Sequence, residues 1–482
     1  MDILATVASE VNGLRALGPQ IASSIAKLHP TGAVPEVGEC EEIKAADRFS
    51  LALVDASFPV IFPDGTEWLI NLPLYNLVSK HSISKKLDAE VSTMKWVREN
   101  TQIPVPRVHA VDLLGHADWN ATHRPCIVID KMPGRHLEED FWEQLSREQH
   151  LHILDQVAKI QAQLYVHPFP AIGSLYYEYD DQNVPQNLQV LRFISHATDS
   201  YCVWYRAFRE FFKAARSPYT RTLQFITELL NMRLLHEAIC SPTMTDVFLY
   251  VWVARSLVPS LCSFSPWNNG PFSLTHGLLG RSALLFDDDF NITAVTNWGF
   301  STTMPRAFAG IPPPIMSTLK LGSIQVDYLN VHLGALRKYE KEFSTETLNN
   351  DSQLTIADLS PRGYQLGWSP IEDLVRFAAK DSPFEDWQNL FKTAFGTLAD
   401  DKSQFHAKFR EVPGLTMEFS RIRAFVESKM VSVVIRSMLT SSDGDLYPAQ
   451  SHRRELQSDQ LDNLLGVGVN FEKLLSLGLR TT

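Results

Sequence analysis

Apolar residues recur along this chain with two periods, and the alternation between them lays out its elements. Leu14, Leu17, Ile21, Ile25 and Leu28 stand three or four residues apart, the spacing of one helix face, and Pro30 with Gly32 ends the pattern. Residues 49–62 are rich in β-branched and aromatic side chains, and residues 68–72 resume that character. Pro63-Asp64-Gly65-Thr66 between them predicts a hairpin turn, since Pro presets φ and Gly tolerates positive φ. Ile83, Leu87, Val91, Met94 and Val97 return to helical spacing, with Glu90 in the middle of the apolar stripe. A carboxylate there is costly unless something pairs with it; otherwise its tip reaches the helix rim.

Further on, Ile103-Pro104-Val105-Pro106 predicts an extended entry to a strand at 108–111. Residues 126–129 predict another, broken by Pro133-Gly134. Ser146-Arg147-Glu148-Gln149 matches a capping box and opens a helix carrying Leu151, Leu154, Val157 and Leu164. The remainder reads as helices near 196–215, 218–240, 244–261, 324–342, 370–397 and 415–440. One β segment interrupts them, with strands at 272–275, 284–286 and 292–296 and a turn at Asp287-Asp288-Asp289-Phe290-Asn291. A β-rich part followed by a helical part with an embedded hairpin predicts an α+β fold. Residues 441–460 are polar, as in a mobile tail, and no internal repeat is found.

The chain has 482 residues, enough for two lobes or domains, and its 45% hydrophobic content excludes global disorder. The formal net charge of -11 repels nucleic-acid backbones and anionic lipid, so neither is an expected partner. The most apolar stretch, 247–261, is interrupted by Arg255 and Pro259 and reads as a buried helix rather than a membrane span. Cys40, Cys126, Cys202, Cys240 and Cys262 are odd in number and form no Cys-x-x-Cys pair. Neither a disulfide framework nor a zinc site is expected, and a reducing compartment fits. The first residues lack a basic start and long apolar run, so a cytoplasmic location is the expectation. His150 and His152 stand two apart on a helix and face different sides, and no metal-ligand spacing is found.

The order of elements, together with particular residues, resembles the aminoglycoside-phosphotransferase family, especially its fungal branch. Glu90-Val91-Ser92-Thr93-Met94-Lys95-Trp96-Val97-Arg98 resembles that family's Glu-bearing helix, and Ile103-Pro104-Val105-Pro106-Arg107-Val108 its connector. Ile127-Val128-Ile129-Asp130-Lys131-Met132-Pro133-Gly134 resembles the strand between lobes. Thr275-His276-Gly277, then 284–289, Ile292-Thr293 and Trp298, resemble the catalytic-loop hairpin. The resemblance covers about residues 40–315. It implies a two-lobed, protein-kinase-like fold with a small β-rich N-lobe and a large helical C-lobe. On it the chain divides into a helical extension at 1–40, an N-lobe at 41–132, a C-lobe at 133–440 with the hairpin at 272–298, and a tail at 441–482.

Phosphoryl transfer in that family rests on positioning and charge neutralisation. The resemblance implies a strand cation that holds phosphate and pairs with the helix Glu, a catalytic-loop Asp as base, and an Asn and a second Asp as metal ligands. In this sequence Leu278 stands at the base position and has no lone pair. Ala283 stands at the first metal position, Asn297 replaces the second Asp, and Asn71 takes the place of the strand cation. Residues 47–57, where a phosphate loop is implied, contain no glycine. No catalytic set is intact, no metal site and no cofactor are expected, and ATP with Mg²⁺ enters only if the chain is a kinase with atypical residues.

Neighbouring residues yield candidates. The acidic run 287–289 reads as a solvated turn. Arg281 is a candidate contact for an anionic ligand, against a plain surface role. His276 reads as a structural histidine bonded to loop backbone. Glu90, without the strand cation, either accepts from the Asn71 amide or is held protonated by burial. With Ile129, Asp130 and Met132 of the interlobe strand, these residues outline a ligand-binding cleft. Three functions stay open: a pseudokinase-type protein that binds a small molecule or a protein partner, a repurposed non-kinase enzyme of fungal secondary metabolism, and a small-molecule hydroxyl kinase with atypical residues.

Overall fold

A computed structural model describes residues 11–39, 55–73, 80–179, 185–191, 218–240, 268–277, 279–306 and 322–344. It adds isolated positions at 248, 251, 252, 255, 258, 259, 315, 417, 419–421 and 424. The expected helices at 196–215 and 370–397, the tail from 441, residues 47–54 and Leu278 lie outside the described residues. The expected helices at 244–261 and 415–440 do so almost entirely. The chain forms two compact units, one of Met1–Ile226 with Pro259–Glu372 and one of Thr227–Val258 with Asp373–Thr482.

After a helical segment at 11–15, the first unit continues with helix α1 (Gly18–Ile25), which a 3₁₀ turn (Ala26–Leu28) extends. A five-stranded antiparallel sheet follows, built from β1 (Glu36–Val37), β2 (Asp55–Ile61), β3 (Glu67–Pro73), β4 (Val108–Asp112) and β5 (Cys126–Asp130), in the order β1-β2-β3-β5-β4. Ala56, Phe58, Val60 and Phe62 alternate along β2, so one face carries all four. Trp68, Ile70 and Leu72 of β3 join them, and Leu14, Ile21 and Ile25 pack against that face. Helix α2 (Lys80–Asn100) lies between β3 and β4.

The chain then runs into α3 (Glu139–Gln144) and α4 (Arg147–Tyr165). The capping box on α4 forms as the sequence predicts: Ser146 Oγ accepts from the Gln149 N–H, and Gln149 Oε1 accepts from the Ser146 N–H. Two short pieces, β6 (Pro168–Phe169) and the β7–β8 hairpin (Ser174–Tyr179 with Pro185–Leu191), follow before α5 (Thr222–Cys240). Strands β9 (Phe272–Thr275), β10 (Leu284–Phe286), β11 (Ile292–Val295) and β12 (Thr302–Pro305) precede helix α6 (Gly322–Phe343). β10 pairs with β11 as a hairpin, and β9 pairs with both β6 and β12.

α6 packs along α4, where His332 lies within 3.1 Å of the Leu154 carbonyl oxygen and 2.9 Å of Gln161 Oε1. The fold is α+β, in the order sheet, helix, two strands, then helices with an embedded hairpin. In the second unit, Arg255 donates to Asn231 Oδ1 at 3.2 Å, and Phe248 meets Phe419 edge to face.

Candidate functional site

The connection out of the sheet fixes the site's geometry. Gly134 has φ +108, a conformation that favours glycine, and an added Cβ would meet the Phe286 carbonyl oxygen at 2.8 Å. Arg135 and Phe286 exchange both backbone hydrogen bonds, at 3.0 and 2.9 Å. Thr293 Oγ1 donates to the Pro133 carbonyl at 2.5 Å, and the Val295 N–H donates to Pro104 at 2.8 Å. The β10–β11 hairpin is thereby stitched to the segment leaving β5.

Behind the hairpin, backbone and buried side chains hold the loop. Nε2 of His276 donates to the Thr296 carbonyl at 2.8 Å, and its ring meets the edge of Trp298. Ala283 is fully buried; its N–H donates to Gly280, and its carbonyl accepts from the Thr296 N–H at 2.8 Å. Arg281 opens the 3₁₀ turn Arg281–Ala283 and is half-buried. Asn297 is exposed in the left-handed region at φ 62, and its Nδ2 donates to the Ser282 carbonyl at 2.9 Å.

The acidic run sits at the opposite end of the hairpin. Asp287 Oδ1 accepts from the N–H groups of Asp289 and Asn291, and Oδ2 from the Asn291 amide. Those bonds, the Asn291 side chain first, hold the carboxyl below its usual range. Among the described residues no group of three or more His, Cys, Asp and Glu side chains could hold a metal ion.

Asn71 and Glu90 enter different interactions. Asn71 lies opposite Ser57 in the sheet, and its Oδ1 accepts from Ser57 Oγ at 2.7 Å. Glu90 is 6% exposed and pairs with Lys86, whose Nζ lies 3.9 Å from Oε2. The expectation that Glu90 has no cation nearby is therefore corrected: the cation comes from its own helix, one turn earlier, and not from the strand. The available signal was the Lys86–Glu90 spacing of four, which puts both on one helix face. Gly299 lies against this pair; an added Cβ would meet Lys86 Cε at 2.7 Å and Glu90 Oε2 at 2.9 Å. α2 thus packs directly on the turn that follows Asn297.

Ile129 is buried in β5 opposite Leu69 and Val108. Asp130, the last residue of β5, is occupied: Oδ1 lies 2.6 Å from His109 Nε2, and Oδ2 accepts from the Arg107 N–H. His109 in turn stacks on Trp68, with ring centres 4.0 Å apart. Met132 is half-buried. The structure therefore brings together Glu90, His276, Ala283 and Asn297 through Trp298 and Gly299, while Asn71, Ile129 and Asp130 are held within the sheet.

Buried histidines make stability depend on acid. Burial lowers the His276 and His332 imidazoles from 6.5 to about 4, and lowers those of His150 and His167 as well. A lowered folded-state value means that the unfolded chain binds more protons between pH 4 and 6.5. The stabilisation is complete above pH 6.5 and is lost as pH falls toward 4. Asp88, whose carboxyl burial raises to about 6, opposes this in the same window, one group against several. The expected result is a net fall in urea-unfolding stability over that range. His276→Gln should flatten the slope, measured as proton uptake on unfolding.

No protein-family model matches the chain. A curated relative, "Altered inheritance of mitochondria protein 9, mitochondrial" of Debaryomyces hansenii, is 30% identical over 134 residues. That match covers 26% of this chain and 20% of the relative, so the chain spans about a fifth of the relative's length. Among solved structures, the macrolide 2'-phosphotransferase of Brachybacterium faecium, as apoenzyme, is 13% identical with a TM-score of 0.39; the match covers 80% of this chain and 96% of that one. The GDP complex of aminoglycoside 2'-phosphotransferase-IIIa is 10% identical with a TM-score of 0.40, covering 86% and 99%. A fructosamine-3-kinase-like protein of Thermobifida fusca is 12% identical with a TM-score of 0.37, covering 81% and 98%. Likenesses of this strength carry no argument about activity.

Proposed function

We propose that this chain is a kinase-like protein of the aminoglycoside-phosphotransferase type that binds a small organic molecule without metal-dependent phosphoryl transfer. One observation carries the reading. Where the resemblance implies two metal-ligating side chains, Ala283 is a buried methyl and Asn297 a neutral amide whose nitrogen is already committed to Ser282. Mg²⁺ is held by hard oxygens, usually one or two carboxylates beside the phosphates. Leu278 removes the base as well, and a positioned base is worth roughly 10²–10⁴-fold in rate. The scattered cysteines support a reducing, cytoplasmic setting.

A second reading, a hydroxyl kinase with relocated residues, is favoured by Lys86, which returns a cation to Glu90. Thermal-shift titration with MgATP, with and without EDTA, separates the two, because a ligand of the native state alone raises Tm. The expected result is no Mg²⁺-dependent shift and no phosphorylated product. The variant Asn71→Lys, Leu278→Asp, Ala283→Asn, Asn297→Asp should gain MgATP affinity. A folded quadruple variant with no gain would mean that these positions do not form the site.

A further inference from the structure

Three helices of the first unit end at one place. An open cleft of about 330 Å³ is lined by Glu99 and Asn100 at the close of α2, by Gln163 and His167 around the close of α4, and by Phe343, the last residue of α6. That volume lies at the small end of ligand pockets, which run to roughly 300–1,000 Å³. The last turn of a helix carries outward carbonyl groups and the negative end of the helix dipole, equivalent to about half an elementary charge. The last turns of α2 and α6 contain Arg98 and Lys341, but neither lines the cleft, and α4 has no basic residue in its last turn. Arg98 instead donates to the Val105 carbonyl at 3.3 Å. No Lys or Arg is among the described residues of the lining, and the one carboxylate there belongs to Glu99, whose side chain is 52% exposed.

The hydrogen bonds of the lining point to the same sign of charge. Its donors are committed to the protein: Asn100 Nδ2 donates to the Trp96 carbonyl at 2.8 Å, Thr101 Oγ1 to the Val97 carbonyl at 2.7 Å, and the Gln102 N–H to Gln163 Oε1 at 2.8 Å. What Glu99 and Asn100 offer a ligand is acceptor oxygen. The Tyr177 hydroxyl donates to Glu99 Oε2 at 3.1 Å and Lys95 Nζ stands 3.9 Å from Oε1, which orients a carboxylate that can accept about four bonds in all. Burial lowers the His167 imidazole from 6.5, so it adds no positive charge at neutral pH. Phe343 stacks on Tyr339, ring centres 6.1 Å apart, and gives the cleft an aromatic wall whose face attracts cations.

We propose that this cleft binds a small organic ammonium ion, with Glu99 and Asn100 Oδ1 accepting from its N–H groups and Phe343 covering its apolar part. A metal ion is a poorer fit, because the lining holds a single carboxylate and no group of three or more metal-ligating side chains is found among the described residues. Glu99 stands nine residues beyond Glu90 on α2, about 13 Å at the rise of a helix, and none of Glu90, His276, Ala283 and Asn297 lines the cleft. It is a second site, independent of the function proposed above.

The test titrates the full chain near neutral pH with benzylammonium, followed by isothermal titration and saturation-transfer NMR, with benzyl alcohol as the uncharged counterpart. Wild type should bind benzylammonium saturably and about fivefold more tightly than benzyl alcohol, the discrimination that one partly exposed carboxylate provides. Glu99→Gln keeps an acceptor for Tyr177 but removes the charge, and should bring the two probes within about twofold of each other. Asn100→Lys puts an ammonium into the cleft and should abolish benzylammonium binding. Both positions are exposed, so both variants should fold. Equal affinity for the two probes in wild type would make the cleft an apolar recess only and overturns the proposal. Absence of saturable benzylammonium binding overturns it too, as does a preference for the charged probe that survives both substitutions. The MgATP titration is read separately, since neither substitution touches a residue of that site.

Discussion

Trp298→Ala lowers the stability of the unit that holds it by about 3–5 kcal/mol, the range for deleting a fully buried large aromatic. The expected readout is a fall in the urea midpoint at nearly constant slope. Trp298 is 1% exposed, donates through Nε1 to the Val295 carbonyl at 2.8 Å, and backs the ring of His276. Its removal leaves a cavity, an unsatisfied carbonyl at the end of β11, and a His276 ring without its support. Trp298→Phe keeps an aromatic ring but loses the N–H and part of the indole volume, so it should recover only part of the loss. A cost below about 1 kcal/mol for the alanine variant would mean that the turn does not organise the loop as described.

Gly134→Ala is expected to cost about 2–4 kcal/mol, combining left-handed backbone strain with a steric overlap. The added methyl would strike Thr293 Oγ1 and the Phe286 carbonyl, both of which are fixed by backbone bonding. Gly65→Ala is the internal control. Its φ is +86, but nothing lies within 4 Å of the added Cβ, so it should cost only the strain of about 1–2 kcal/mol. The difference between the two midpoints measures how tightly the hairpin is docked. Equal costs would show that the docking is loose.

Long elements with strong periods were legible in the sequence. The stripe from Ile83 to Val97 is helix α2, the capping box opens α4, and the strands around β2, β3, β4, β5, β9, β10 and β11 stand within a few residues of where alternation and turn chemistry put them. α3, the β7–β8 hairpin and β12 were not legible. β7 and β8 mix Tyr, Glu, Gln and Asn without a clean apolar face, and β12 is four residues long and defined by its pairing with β9. Pairing of that kind is a tertiary fact that no local period encodes. The division into units also differs in kind from a lobe boundary at 132, because one unit draws on residues 227–258 together with 373–482.

At the site, the residue types at 283 and 297, a methyl and a neutral amide, could be read directly from the sequence. The role of His276 followed from its expected place beside loop backbone. The partner of Glu90 was missed for a physical reason. A cation across the sheet is what the resemblance implies, whereas burial of a same-helix pair depends on what covers the helix, here Gly299. A lysine with solvent in front of it and one with a turn in front of it look alike in sequence.

The double hydrogen-bond exchange between Arg135 and Phe286 turns the strand exit from a pivot into a splice. A segment clamped by its own amides cannot swing freely, so the hairpin and the chain leaving β5 travel as one piece. Side chains add to the splice, with the Thr293 hydroxyl on the Pro133 carbonyl and the Arg135 guanidinium 3.4 Å from Asp288 at the hairpin tip. The stiffness of this splice comes from the paired backbone amides and from the side chain and the glycine that let them close, Thr293 and Gly134.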